Sequence, residues 1–161
     1  MKPGELRIVP KGDRELVITR DFAAPRQLVF DAYTKPELIR RWMFGPDGWV
    51  FHICEVDLRV GGKYRWVWKR TKDGYLMGMG GVYREISAPA RLVCTESFDD
   101  SWYPGDALCT IQLTEAKGRT TLTQTMTYES AEALKAVLDS PMESGLKEGM
   151  DRLAEVLKSL A

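Results

Sequence analysis

The chain has 161 residues, 44% hydrophobic and 29% charged, with 23 Lys plus Arg balanced by 23 Asp plus Glu. That composition excludes a disordered chain, and the absence of a basic excess argues against a dedicated nucleic-acid binder. The length predicts one domain, and no apolar run approaches the roughly 20 residues of a membrane span.

Residues Met1 to Asp13 read as a lead-in, without the hydrophobic segment of a signal peptide. Residues 14–161 read as a single domain. Arg14 to Phe22 alternates as a strand, with Leu16, Ile18 and Arg20 on one face. Pro25 suits the first turn of a short helix whose apolar stripe is Leu28, Val29, Ala32 and Tyr33. Thr34 can cap a second helix carrying Leu38, Ile39 and Trp42, which Gly45-Pro46-Asp47-Gly48 ends. Six strands follow: Val50–Arg59, Lys63–Lys72, Tyr75–Ile86, Arg91–Asp99, Ala107–Glu115 and Thr120–Tyr128. Their short connections predict an antiparallel meander.

The stretch from Val56 to Trp68 is the most informative. A Gly61-Gly62 turn, where one glycine should take positive φ, leads into a strand with Tyr64, Trp66 and Trp68 on one face. Three large aromatics on one strand face suit a core or cavity wall. After the strands, Ala131 to Leu138 reads as a short helix. A long amphipathic helix then starts near Pro141, with Met142, Leu146, Met150, Leu153, Leu157 and Leu160 on one side and Gly149 beside them.

This order of elements makes an α+β domain. The economical packing is a curved antiparallel sheet wrapped around the long C-terminal helix, with the two short helices after the first strand closing one end. Phe22-Ala23-Ala24-Pro25, the run from Val29 to Pro36, Arg41-Trp42, Gly45-Pro46, the run from Val56 to Gly62, Gly80-Gly81-Val82-Tyr83-Arg84-Glu85-Ile86 and Pro89-Ala90-Arg91-Leu92-Val93 occur in that order. Together they resemble the activator of Hsp90 ATPase homologue 1-like family of the START-like, or Bet v 1-like, superfamily. The resemblance covers residues 14–161 and implies a helix-grip fold with a mostly apolar cavity between sheet and terminal helix. Function is implied far less strongly, because such folds host unrelated tasks.

Candidate chemistry is sparse. His52 is the single histidine, expected to share a strand face with Cys54 and Val56, and no nucleophile can be assigned to it. Cys54, Cys94 and Cys109 lie far apart in apolar runs and read as buried free thiols of a reducing, cytoplasmic protein. No ligand spacing for a metal is present, and no cofactor is called for. Gly78, Gly80 and Gly81 precede a strand instead of a helix, so a strand bend replaces any phosphate loop. Asp57, Arg59, Glu55 and Arg65 read as surface ion pairs fixing the turn. The sharper alternative places Arg59 or Arg65 at a polar cavity mouth. Glu96, among Cys94, Thr95 and Phe98, is the carboxylate expected to face inward with a raised pKa. Trp66, Trp68, Met79, Tyr83, Phe98, Met126 and Met150 join it as cavity candidates, within a wider set that includes Met77, Tyr128 and Met142.

Three functions compete. The first is a binding protein for a lipid-like or aromatic small molecule, supported by the aromatic and methionine set. The second resembles the polyketide cyclases and aromatases of the superfamily, with Glu96, His52 and Tyr83 moving protons. The third is chaperone interaction, which ranks last because about a dozen residues precede the first strand, leaving no counterpart of a separate chaperone-binding domain. Self-association into a homodimer is left open.

Overall fold

The computed structural model describes residues 4–45 and 47–160. Among these residues eight strands form one sheet: β1 (Arg7–Lys11), β2 (Glu15–Phe22), β3 (Trp49–Val56), β4 (Lys63–Arg70), β5 (Leu76–Ser87), β6 (Arg91–Phe98), β7 (Ala107–Ala116) and β8 (Arg119–Tyr128). Four helices accompany them: α1 (Arg26–Thr34), α2 (Pro36–Ile39), α3 (Ala131–Leu138) and α4 (Met142–Leu160). The strand order is β1-β2-β8-β7-β6-β5-β4-β3, and every pairing is antiparallel. The helices α1 and α2 carry the chain from β2 to the far edge. The six-strand meander then returns until β8 closes against β2. This is the helix-grip α+β architecture.

One sheet face is continuous and apolar. Leu16, Ile18 and Phe22 of β2, Ile111 and Leu113 of β7, and Leu122 and Met126 of β8 are all buried on it. Register explains the continuity. Leu16 stands opposite Met126, Ile111 opposite Leu92, and Trp66 opposite both Cys54 and Met79, so the inward set of each strand meets that of the next. The helix α4 covers this face with Met150, Leu153, Val156 and Leu157. Arg20, on the same face as Leu16 and Ile18, reaches across to pair with Asp151 of α4 at 2.8 Å. Its guanidinium is nearly inaccessible while the Asp151 side is half exposed, so the pair fixes where the helix sits along β2.

Several expectations are corrected. Residues 7–11 of the lead-in form β1, a hairpin partner of β2 running from Arg7 opposite Thr19 to Lys11 opposite Glu15. Alternation there is weak because β1 is an edge strand with little to bury. Thr34 does not cap α2; it is the last residue of α1, and its hydroxyl donates back to the Phe30 carbonyl. Pro25 precedes the first helical residue instead of occupying it, and the Arg26 N–H donates to Glu115 of β7. The second helix is a single turn, and Pro46 in its expected stop lies outside the described residues.

The glycine turn also differs in shape. The strand β3 stops at Val56, and Asp57–Gly62 forms a six-residue connection instead of a tight hairpin. Gly61 has φ of 85°, the left-handed region that favours glycine. Gly62 is needed for space, since a Cβ there would overlap the Asp57 carbonyl. Both glycines exchange backbone hydrogen bonds with Tyr83, which ties the connection to β5.

Docking of α4 on the sheet is testable at Leu153, which is fully buried. Leu153→Ala should cost about 2–5 kcal/mol in a denaturant titration. A loss below about 0.5 kcal/mol would mean that the helix does not pack there.

Candidate functional site

The helix α4 does not fill the concave face of the sheet. Its backbone nears α1 and stands further from the strands, and the space between is a cavity of two connected lobes. The outer lobe, about 400 Å³, opens between α4, α3, the end of β6 and the loop after it. The inner lobe, about 200 Å³, runs beneath Tyr33, Tyr64, Tyr83 and Leu92, all buried. Trp42, Met43, Trp68, Glu96, Gln124, Leu146 and Met150 line both.

Local sequence explains the walls. Period-2 alternation in β4 sends Tyr64, Trp66 and Trp68 inward while Arg65 and Lys69 point the other way. Trp66 and Trp68 lie 6.4 Å apart, and Tyr64 packs on Trp66 at 4.6 Å and on Tyr83 at 5.5 Å, a run of tilted rings. The segment after α2 forms the roof. The Trp42 indole donates to the Ala32 carbonyl, and the Trp68 indole donates to the Met43 carbonyl at 2.7 Å. Arg152 of α4 lies over the Phe44 ring at 4.3 Å, joining roof to helix.

Two glycines of α4 widen the mouth. Gly145 and Gly149 line the outer lobe, and a Cβ added to either would meet nothing within 4 Å. A glycine inside a helix costs about 0.5–1 kcal/mol relative to alanine. Here no close packing offsets that cost, so the glycines leave open space.

Glu96 is the centre of the polar geometry. It faces Ala107 of β7 in register and sits where β5 and β6 part. The ladder runs from Gly80 opposite Ser97 to Tyr83 opposite Cys94, and between them the Val82 N–H turns to the Thr95 hydroxyl. The Tyr64 hydroxyl donates to the Thr95 carbonyl. Gly81 permits this approach, because a Cβ on it would overlap that carbonyl. Gly80 and Gly81 thus mark a strand irregularity of the kind expected from sequence, while Gly78 stays in regular register opposite Val67. The Glu96 carboxyl lines both lobes with no hydrogen-bond or ion-pair partner among the described residues. Burial pushes its pKa up from the ordinary 4.5 to about 7.

Other polar groups are few. The Trp66 indole N–H, the Tyr103 hydroxyl and the Tyr33 hydroxyl are buried without partners. Burial raises the tyrosine hydroxyls of Tyr33, Tyr64, Tyr83, Tyr103 and Tyr128 above their usual range. Cys94 and Cys109 stand opposite each other and line the inner lobe as free thiols. Hydrogen bonding to Cys94 and then burial push the Cys109 thiol well up, so it is no thiolate nucleophile. Among the described residues no group of three or more His, Cys, Asp or Glu could hold a metal ion.

The structure brings Trp66, Trp68, Met79, Tyr83, Glu96, Phe98, Met126 and Met150 around the two lobes. It places the other two named residues elsewhere. Arg59 is exposed and pairs with Asp57 at 2.8 Å beside the turn. Arg65 points from the opposite face of β4 and forms a two-armed contact with Asp99. Neither lines the cavity: Arg59 makes an ion pair at the turn, whereas Arg65 pairs with Asp99 just beyond β6 and not with the turn residues.

His52 is also relocated. A bulge between Phe51 and Ile53 breaks the alternation, leaving His52 exposed while Phe51 joins Trp68 at 5.7 Å. It shares no face with Cys54 and takes no part in the cavity. Met77, though opposite Trp68, is exposed. Residues beyond the sequence-based set include Trp42, Met43 and Tyr103. Tyr103 carried a usable signal: Trp102-Tyr103 is an aromatic pair inside the turn-forming run Ser101 to Gly105, where polar residues are the rule.

Comparisons place this geometry among known proteins. The family model described as "Activator of Hsp90 ATPase homolog 1-like protein" matches residues 23–158. A crystal structure of a Rhodobacter sphaeroides protein is similar with a TM-score of 0.90 and 31% identity, over 96% of this chain and 99% of that one. A Mycobacterium smegmatis protein matches with a TM-score of 0.81 and 24% identity, over 95% and 97% of the two chains. An AHSA1-like protein from Aeromonas hydrophila matches with a TM-score of 0.67 and 19% identity, over 89% and 93%. The latter two likenesses concern the fold alone. No curated protein matches the chain. No helix among the described residues is long and apolar enough to cross a membrane.

The empty space beside Gly145 and Gly149 has a measurable consequence. Gly149→Ala and Gly145→Ala should each stabilise the protein by about 0.5–1 kcal/mol in denaturant titrations. Destabilisation of either variant by a similar amount would mean that the space is filled in solution.

Proposed function

The chain belongs to the activator of Hsp90 ATPase homologue 1-like family, and from that premise we propose that it binds a small apolar or aromatic molecule in its internal cavity. The observation that carries this reading is the convergence of rings and thioethers from β4, β5, β6, β8 and α4 on one space. Tyr64, Trp66, Trp68, Met79, Phe98, Met126 and Met150 pack against the core and at the same time line the two lobes, giving the cavity an apolar and aromatic wall. A cavity of this kind is costly to maintain, since unfilled apolar volume forfeits dispersion contacts. The helix glycines add to that cost. A ligand offsets both by restoring contacts to the walls.

A second reading draws on Glu96. A carboxyl with a pKa of about 7 inside an apolar cavity is matched to proton transfer near neutrality. An enzyme of the cyclase type would use Glu96 and the nearby Tyr83 without His52, which lies outside the cavity. One carboxyl without an activated nucleophile supports binding better than turnover.

A neutral apolar dye such as N-phenylnaphthylamine should bind the native protein with enhanced fluorescence and raise its melting temperature by mass action. Met150→Trp, which fills the junction of the two lobes, should weaken dye binding by about tenfold or more. Gly149→Leu, whose side chain enters open space, should do the same while the protein stays folded. Unchanged dye affinity in both folded variants would place the binding surface elsewhere.

A further inference from the structure

The electrostatics of the cavity are one-sided. Among the described residues lining the lobes, Glu96 is the single carboxylate and Arg152 the single cation. Arg152 stands at the outer lobe, stacked on Phe44 at 4.3 Å and 3.9 Å from Glu148. The inner lobe holds Glu96 and no cation. An ionised carboxylate there has no counter-charge and no hydrogen-bond donor of its own, a state that proteins rarely leave uncompensated.

Its surroundings supply the missing half of a recognition site. Trp66, Trp68, Tyr64 and Tyr83 present rings to the same lobe, and ring faces attract organic cations, most strongly when water is excluded. The Trp66 N–H of the inner lobe and the Tyr103 hydroxyl of the outer lobe are unpartnered, so each can serve an acceptor elsewhere on the ligand. Resting on the reading that the cavity binds a small molecule, we propose that its ligand is an amphiphilic organic amine, whose ammonium group pairs with Glu96 among the aromatic rings while its apolar body occupies the remaining volume. A carboxylate placed in the inner lobe is disfavoured by the same arrangement, since it would meet Glu96 where no cation lines the wall.

The groups around Glu96 sharpen the pH dependence. Tyr64 of β4, Tyr103 of the β6–β7 loop, Tyr128 of β8, Tyr83 of β5, Tyr33 of α1, Cys94 of β6 and Cys109 of β7 are the titratable groups facing the same space, with Arg152 of α4 at its outer end. The five tyrosines and Cys109 stay neutral near neutrality because their pKa values are raised. Glu96 is thus the carboxylate that gains charge between about pH 6 and about pH 8. An ammonium ligand binds its ionised form and gains affinity over that interval, whereas an isosteric alcohol does not.

The experiment is displacement of bound N-phenylnaphthylamine by naphthylmethylamine, naphthylmethanol and naphthoate, which share one ring system. At about pH 8 the amine should compete about tenfold more strongly than the alcohol, with naphthoate weakest. The amine-to-alcohol ratio should shrink toward unity at about pH 6. In Glu96→Gln the ratio should fall to near unity at both pH values. Equal competition by amine and alcohol in the native protein, or a preference that survives Glu96→Gln, overturns the amine assignment and leaves the cavity reading standing. Failure of the dye and all three compounds to bind overturns both. Should Glu96→Gln fail to fold, the pH dependence of the ratio in the native protein decides alone.

Discussion

A single helix has to cover the concave face of an eight-stranded sheet, and this geometric mismatch governs the rest of the molecule. The nineteen residues of α4 bury one stripe against the sheet, anchored toward the C-terminal end by Leu153, Val156 and Leu157 and by the Arg20–Asp151 pair. Toward its N-terminal end the stripe thins to half-buried Met142 and Leu146, with Gly145 and Gly149 adding no bulk. The sheet meanwhile continues around the helix through β4 and β5. Space therefore opens at one end of the interface, where helix side chains are few and sheet side chains are large. The second constraint is the roof, where Trp42 and Met43 are held by indole-to-carbonyl bonds that keep the chain over the lobe.

Within that space the sheet places an acid where elementary energetics disfavour one. An isolated carboxylate in an apolar site is held neutral by its own desolvation, and Glu96 follows that rule. The consequence for stability has a definite sign. A group whose folded pKa is raised binds its proton more tightly in the native state, so its contribution weakens as pH rises from about 4.5 to about 7. A residue that destabilises the native state at neutral pH, in a domain already carrying two unpacked helix glycines, has the pattern of stability given up for function.

The sequence made the architecture legible because its signals were local. Alternation in β4, the glycine turn before it and the three-and-four spacing in α4 each follow from side-chain period alone. What stayed hidden depended on long-range placement. His52 was misplaced because a bulge on an edge strand inserts one residue, and no side-chain pattern marks it. Arg65 was misplaced although alternation already set it on the face opposite Trp66 and Trp68; what no local pattern shows is its long-range partner, Asp99. Tyr103 and Met43 reach the cavity from irregular segments, where periodicity carries no information. The inward setting of Glu96 was readable from its apolar neighbours, but not its isolation from every donor.

The state of that carboxyl is the point on which cavity, cost and ligand class converge. A carbon-13 NMR titration of the Glu96 side-chain carboxyl in the ligand-free protein measures it directly, assigned by comparison with Glu96→Gln. A midpoint near pH 7 is expected, well above the ordinary value of 4.5. A midpoint at the ordinary value would contradict it, because the carboxyl would then be solvated or paired and the lobes would not desolvate it.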